Sequence, residues 1–182
     1  MKTLVGWSGG VESTGLMKYL LSETKDEIVA VHIYAPNSLN RADLEWAAVQ
    51  RLNPLLQAIR PFELHRVDIH FPWDTCDPEV QCTVLPALMK GSRADRFLRG
   101  LCIEDIYPSG LHENRDRLVK WTNFWLKYLP EADISPDIPM FYWTKKQHME
   151  YIKEYLHLTY SCVSPVDGVA CGKCRSCKLR LA

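Results

Sequence analysis

The stretch Thr3-Leu4-Val5-Gly6-Trp7-Ser8-Gly9-Gly10-Val11-Glu12-Ser13 decides the fold. It opens as a mostly apolar run of strand length, passes through paired glycines flanked by hydroxyl side chains, and enters a segment with leucines at helical spacing. A strand that runs through glycines into a helix start leaves backbone N–H groups unpaired above the sheet edge. Such a loop cradles phosphate. Glycine allows the close approach that a side chain would block, and Ser8 and Ser13 add hydroxyl donors to the cluster of amides. The expected cargo is a nucleotide.

Two other glycine-rich phosphate loops are excluded. No Gly-Lys-Ser/Thr follows the glycines, and the third glycine of a dinucleotide fingerprint is out of place. An ordinary Ser-Gly-Gly turn is the plain alternative, and the position directly after an N-terminal strand favours the nucleotide loop.

Outward from the loop, strand and helix patterns alternate. Residues 14–23 carry Leu16, Leu20 and Leu21 on one side and read as the helix behind the loop; residues 28–34 read as the next buried strand, ended by Tyr34-Ala35-Pro36-Asn37. Residues 40–59 read as a helix that Pro54 should kink or split near its middle, and residues 62–69 as a third strand. Residues 70–81, with Pro72 and Pro78, read as a long loop over the sheet's edge. Helices are expected over 92–101 and 115–128, strands over 102–107 and 138–143, and a last helix over 145–156 with Thr144 as its N-cap. This alternation implies an α/β fold: a mostly parallel, Rossmann-like sheet flanked by helices, binding ligands at the carboxyl ends of its strands. The glycine loop, residues 34–37 and residues 108–114 then bound the pocket, with Tyr34 as the second strand's contribution.

The other end of the chain holds Cys162, Cys171, Cys174 and Cys177, spaced Cys-x8-Cys-Gly-Lys-Cys-Arg-Ser-Cys. Four thiolates so spaced can meet one zinc ion tetrahedrally, with Gly172 letting the backbone turn around it. All four places would be filled by protein, so the site is of the closed, structural kind. A disulfide pair, a redox Cys-x-x-Cys and an iron–sulfur cluster are the alternatives; zinc is preferred because nothing suggests secretion and the ligand count matches without remainder. Cys76, Cys82 and Cys102 show no such spacing. Cys102 reads as a buried apolar residue, while Cys76 and Cys82 lie in a loop-like segment where a thiol could carry sulfur.

At 182 residues the chain suits one α/β unit, residues 1–158, with residues 159–182 as a zinc-tied C-terminal lobe of the same compact body. Lys plus Arg equals Asp plus Glu at 22 each, so no net basic field is available and extensive nucleic-acid binding is not expected. No secretory leader pattern and no uninterrupted apolar run of about 18 residues is present, which points to the cytoplasm and away from membranes.

The Ser8-Gly9-Gly10-x-Glu12-Ser13 loop resembles the Ser-Gly-Gly-x-Asp-Ser pyrophosphate loop of the N-type ATP pyrophosphatases, with glutamate in the acidic place. Combined with Thr144-Lys145 and the tail from Ser161-Cys162 to Cys177-Lys178-Leu179-Arg180, the chain resembles the 7-cyano-7-deazaguanine synthase (QueC) family. The resemblance implies an adenine nucleotide alpha hydrolase-like fold and use of ATP to activate 7-carboxy-7-deazaguanine as an acyl adenylate. Ammonia then gives the amide and a second activation the nitrile. It also implies a structural zinc and a homodimer. The family's central Tyr-Pro-Asp-Cys-Arg stretch has no clean counterpart; Ser109-Gly110-Leu111-His112-Glu113-Asn114-Arg115-Asp116-Arg117 stands in that region.

If ATP is cleaved between its α and β phosphates, Gly9, Gly10 and Ser13 stabilise the departing pyrophosphate while Ser8 and Glu12 position phosphates or Mg2+. Lys145, Arg115 and His112 are the candidates for cationic or acid–base help, each with a plain alternative as surface charge or packed residue. Trp121, Trp125 and Trp143 could stack on a purine-like base, though their spacing suits a core. Three other functions are open: a sibling enzyme of the same family that stops at the amide or conjugates a different carboxylate or amine, a tRNA-modifying sulfurtransferase acting through Cys76 and Cys82, and a non-enzymatic zinc knuckle binding through Lys173, Arg175, Lys178 and Arg180.

Overall fold

The computed structural model describes residues 1–36, 40–70, 88, 91–100, 140 and 143–181. Four parallel strands form its sheet: β1 (Lys2–Gly6), β2 (Glu27–Tyr34), β3 (Glu63–Asp68) and β4 (Arg96–Arg99), in the order β3-β2-β1-β4. Helix α1 (Val11–Glu23) carries the chain from β1 to β2, and α2 (Arg41–Gln57) from β2 to β3. After β3 the chain crosses to the far side of β1, so the strand order reverses beside the first strand. That reversal is where an open parallel sheet leaves a crevice for ligand.

Side-chain alternation explains the two layers. Leu4, Val29, Val31 and Phe97 bury on one face, whereas Val5, Ala30 and Leu98 bury on the other with Leu16, Met17, Leu20 and Leu21 of α1 and Val49, Leu52 and Leu56 of α2. Both helices cover this second face, as two right-handed crossovers in the same direction require. At the opposite edge, Asp26 Oδ2 takes hydrogen bonds from Thr3 Oγ1 (2.8 Å) and Arg96 Nη2 (2.5 Å), tying β1, β4 and the turn before β2 together.

Residues 92–101, expected as helix, contain β4 instead. Helical geometry stops at Ser92, Arg93 turns with φ +54°, and Phe97 and Leu98 then bury on opposite faces of the sheet through parallel pairing with β1. Two adjacent apolar residues between arginines fit either period, and pairing with the buried central strand decides. Helix α2 is continuous through Pro54 and not split. The proline stands one turn from the end, and the carbonyl its missing N–H would have bonded belongs to the exposed Gln50. The expected strand 102–107, helix 115–128 and most of loop 70–81 and strand 138–143 lie outside the described residues.

Helix α3 (Lys145–Tyr151) starts where the sequence places it, with Thr144 Oγ1 accepting the Gln147 N–H and the Gln147 side chain accepting the Thr144 N–H. It ends before the expected 156, and Leu156–Leu158 form a separate 3-10 turn. Helix α3 lies beside α1 in parallel at constant offset: Glu12 meets Lys145, Gly15 meets His148, and Lys18 Nζ donates to Tyr151 O at 2.7 Å. A C-terminal helix α4 (Arg175–Leu181) carries the last of the four cysteines, Cys177; its Arg180 donates to Leu156 O (2.5 Å) and Thr159 O (3.2 Å). Among the described residues no helix is long and apolar enough to cross a membrane.

Candidate functional site

Strand β1 delivers the chain to the carboxyl edge at Trp7. Its backbone N–H donates to Val31 O at 2.9 Å, and its buried indole donates to Thr14 Oγ1 at 3.2 Å, so strand end and helix start are pinned on either side of the loop. Gly9 has φ +75°, and a Cβ there would stand 2.9 Å from Glu45 O and 3.0 Å from Ala48 Cβ; only glycine lets the loop lie down on α2. Gly10 is extended and begins α1 with no side-chain cap. The Ser8 and Ser13 hydroxyls lie 3.0 Å apart; Ser13 Oγ accepts the Ser8 N–H (3.3 Å) and Ser8 Oγ accepts the Gly10 N–H (3.4 Å). These bonds hold the loop in a ring whose first-turn amides have no intrahelical partners.

The parallel placement of α1 and α3 brings Lys145 Nζ onto Glu12 Oε1. The lysine side chain is 4% exposed and the glutamate 12%, so the pair is a largely desolvated charge couple at the loop's rim rather than a surface bridge. Beyond β4, Gly100 passes so near the first turn of α1 that a Cβ there would collide with the backbone of Glu12 and Ser13. Nothing in the spacing of the sequence singles out Gly100; its closeness comes from a strand expected to be helix.

Ser8, Gly9, Gly10, Glu12, Ser13 and Lys145 therefore meet in one place. Tyr34 stands apart at the end of β2. Its hydroxyl donates to Asp43 Oδ1 at 2.5 Å and its ring lies under the Arg66 guanidinium at 3.6 Å; the Asp43 bond raises its pKa. Beside it, buried His32 shares Nδ1 with Trp7 O at 3.0 Å and packs on Trp46. Trp143 makes edge contacts with His148 and Tyr151, a packing role. His112, Arg115, Cys76, Cys82, Cys102, Trp121 and Trp125 lie outside the described residues.

The tail's four sulfurs all fall within 4.8 Å of one another. Cys162 Sγ is 3.6 Å from Cys171 Sγ and 3.9 Å from Cys174 Sγ, against about 3.8 Å for sulfurs bound tetrahedrally at ~2.3 Å. Gly172 turns the chain at φ +67°. Backbone N–H groups donate to the sulfurs, from Cys171 to Cys162 (3.3 Å), Cys174 to Cys171 (3.2 Å) and Cys177 to Cys174 (3.4 Å). Burial would raise the Cys174 pKa, but the N–H groups of Val163 and Cys177 outweigh it and hold the thiol at about 6. Burial and the adjoining Cys174 push Cys177 up to about 12. Thiols this close resist shedding all four protons together, and a bound divalent cation removes that resistance. The donor set fits a tetrahedral metal.

This cluster is tied to the loop. Tyr160 N–H donates to Gly9 O at 2.9 Å, and the Val11 N–H donates to Ser161 Oγ at 3.4 Å. In the sequence Ser161 stands out only as the neighbour of Cys162; a hydroxyl directly before a member of the four-cysteine cluster is the signal that could have singled it out.

Residues 80–182 match the family model described as queuosine biosynthesis protein QueC. The chain is 27% identical over 207 residues to the 7-cyano-7-deazaguanine synthase of Nitratiruptor sp., covering 100% of this chain and 92% of that protein. It is also 27% identical over 207 residues to the enzyme of the same name from Nautilia profundicola, covering 99% and 91%. Among solved structures, the U34-tRNA thiolase NcsA from Methanococcus maripaludis shares the fold at a TM-score of 0.54 and 19% identity. That match covers 92% of this chain and 59% of the thiolase, so the chain spans less than two thirds of the thiolase's length.

Proposed function

The chain belongs to the family of the queuosine biosynthesis protein QueC, and on that footing we propose that it is an ATP-dependent C–N ligase converting 7-carboxy-7-deazaguanine and ammonia into 7-cyano-7-deazaguanine. The observation that carries this proposal is the meeting of the Ser8-Gly9-Gly10 loop with Glu12 and Lys145 where the strand order reverses.

In the proposed reaction the substrate carboxylate attacks the α-phosphorus of ATP and pyrophosphate leaves. The amides of Gly9 and Gly10 and the Ser13 hydroxyl hold the leaving pyrophosphate, and Ser8 positions the triphosphate. Lys145 keeps a cation at the rim while Glu12 holds that cation in place. A magnesium ion beside Glu12 would neutralise charge on the phosphate oxygens. Ammonia then displaces AMP from the acyl adenylate and loses a proton, giving the amide. A second ATP activates the amide oxygen, and loss of AMP and a proton leaves the nitrile. No enzyme nucleophile is required, because the substrate's own carboxylate attacks. His112 and Arg115 are assigned the remaining acid–base and phosphate-neutralising help. We assign zinc to the four thiolates, whose closed set fits a structural role, and a homodimer to the working protein.

The test is mass spectrometry of products after incubation with Mg-ATP, ammonium and 7-carboxy-7-deazaguanine, with AMP followed in parallel. Nitrile with two AMP per product is expected. Amide with one AMP would restrict the proposal to the first half, and no AMP with no product would overturn it.

A further inference from the structure

We propose that Ser161 is a phosphate-binding residue, so that the nucleotide site is a composite of the N-terminal loop and the segment leading into the first thiolate. This rests on the assignment of residues 8–13 to a nucleotide's phosphates. Ser161 Oγ lies 3.4 Å from the Val11 N and 3.7 Å from where a Cβ on Gly10 would stand, so the hydroxyl sits directly over the loop. The Val11 N–H is a first-turn amide with no carbonyl of its own helix to meet, the kind of group that takes an anion's oxygen. Here the oxygen it meets is a serine hydroxyl. The Ser161 proton has no acceptor among the described residues, so the same hydroxyl has a donor left for a phosphate.

The backbone holds Ser161 from both sides. Tyr160 N–H is bonded to Gly9 O, and Cys162, only 2% exposed, is a member of the thiolate cluster. When nucleotide binds, the Val11 N–H passes to a phosphate oxygen and the Ser161 hydroxyl donates to the same phosphate. The metal at the cysteines, by fixing Cys162, fixes the donor. Metal occupancy thereby sets nucleotide affinity without the metal touching the nucleotide.

The test is calorimetric titration of Mg-ATP, inorganic pyrophosphate and adenosine onto wild type, Ser161→Ala and Ser161→Thr, with melting temperature and metal content recorded for each. Ser161→Ala is expected to weaken ATP and pyrophosphate by about tenfold or more, the scale of one hydrogen bond to a charged oxygen, while adenosine affinity, metal content and melting stay unchanged. Ser161→Thr should restore most of the loss. ATP binding by Ser161→Ala equal to wild type, or an equal loss for adenosine, overturns the composite site while leaving the nucleotide loop intact. A wild-type protein that binds neither ATP nor pyrophosphate overturns both. A second arm needs no variant: wild type stripped by a chelator should lose pyrophosphate affinity at least as strongly as Ser161→Ala, and unchanged affinity there also overturns the proposal.

Discussion

Gly9 and Gly10 are adjacent and identical, yet they do different work. Gly9 at φ +75° serves the fold, because a side chain there meets the backbone of α2; Gly9→Ala should cost about 1–2 kcal/mol from left-handed strain, with the contact on Glu45 O adding to it, read as a lowered denaturation midpoint. Gly10, with φ −78°, has ordinary backbone, and a Cβ there would stand 3.3 Å from Ser8 Oγ and 3.4 Å from Tyr160 O, contacts its neighbours must ease by a few tenths of an ångström. Gly10→Asp should still fold, with a lowered midpoint, and abolish ATP turnover, since it places a carboxylate where phosphate is expected; normal turnover would sink the loop assignment. His32 carries a pH dependence. Burial lowers its pKa from 6.5 to about 4, only partly offset by the bond to Trp7 O, so the unfolded chain binds a proton between those values that the folded chain refuses. Stability from this group is complete above pH 6.5 and is lost as pH falls toward 4, by on the order of 3 kcal/mol at the limit. Urea melts from pH 7 to 4 should show that slope in wild type and a flatter one in His32→Asn.

Among elements, what was legible followed from strong local signals. A strand, two glycines and a leucine-spaced helix specify β1, the loop and α1, and Thr144 with Gln147 specifies the start of α3. The end of α3 carries no glycine or proline, so the break after Tyr151 leaves no mark in the sequence. Strand β4 looks helical in the sequence alone because Phe97 and Leu98 acquire their meaning only from partners some 93 residues away on β1. The site divides the same way: loop and thiolates are local motifs, whereas the Glu12–Lys145 couple spans 133 residues and exists because α1 and α3 pack in parallel. The cap of α3 should therefore reach the site. Thr144→Ala removes the oxygen that accepts the Gln147 N–H and should cost about 1 kcal/mol of stability. Because Lys145 is the next residue, turnover should fall further than stability does, with Ser in place of Thr restoring both; a Thr144→Ala protein with full activity would show that the cap does not position the lysine.

At the scale of the molecule, the tail is held by few apolar contacts of its own. Between residues 159 and 181 the buried positions are Thr159, Cys162, Pro165 and Cys177, while Val166, Val169 and Leu181 are 61%, 67% and 80% exposed. So small a core does not offset the entropy of ordering about twenty residues at ~1–2 kcal/mol each, and the metal we propose at the four cysteines would supply the missing order. The sheet with α1 and α2 has its own continuous core and needs none of this. Chelation should therefore separate the two. Circular dichroism should keep most of the native signal while trypsin begins to cut after Lys173, Arg175 and Lys178, and the four tail thiols should become reactive together. Cys174→Ser should reproduce that state without chelator, since it removes one ligand and the sulfur that accepts the Cys177 N–H. A stripped protein whose tail stays protected from trypsin would mean that the Arg180 bonds to Leu156 and Thr159, with Tyr160 on Gly9, are sufficient to hold the tail, and the metal would lose its structural role.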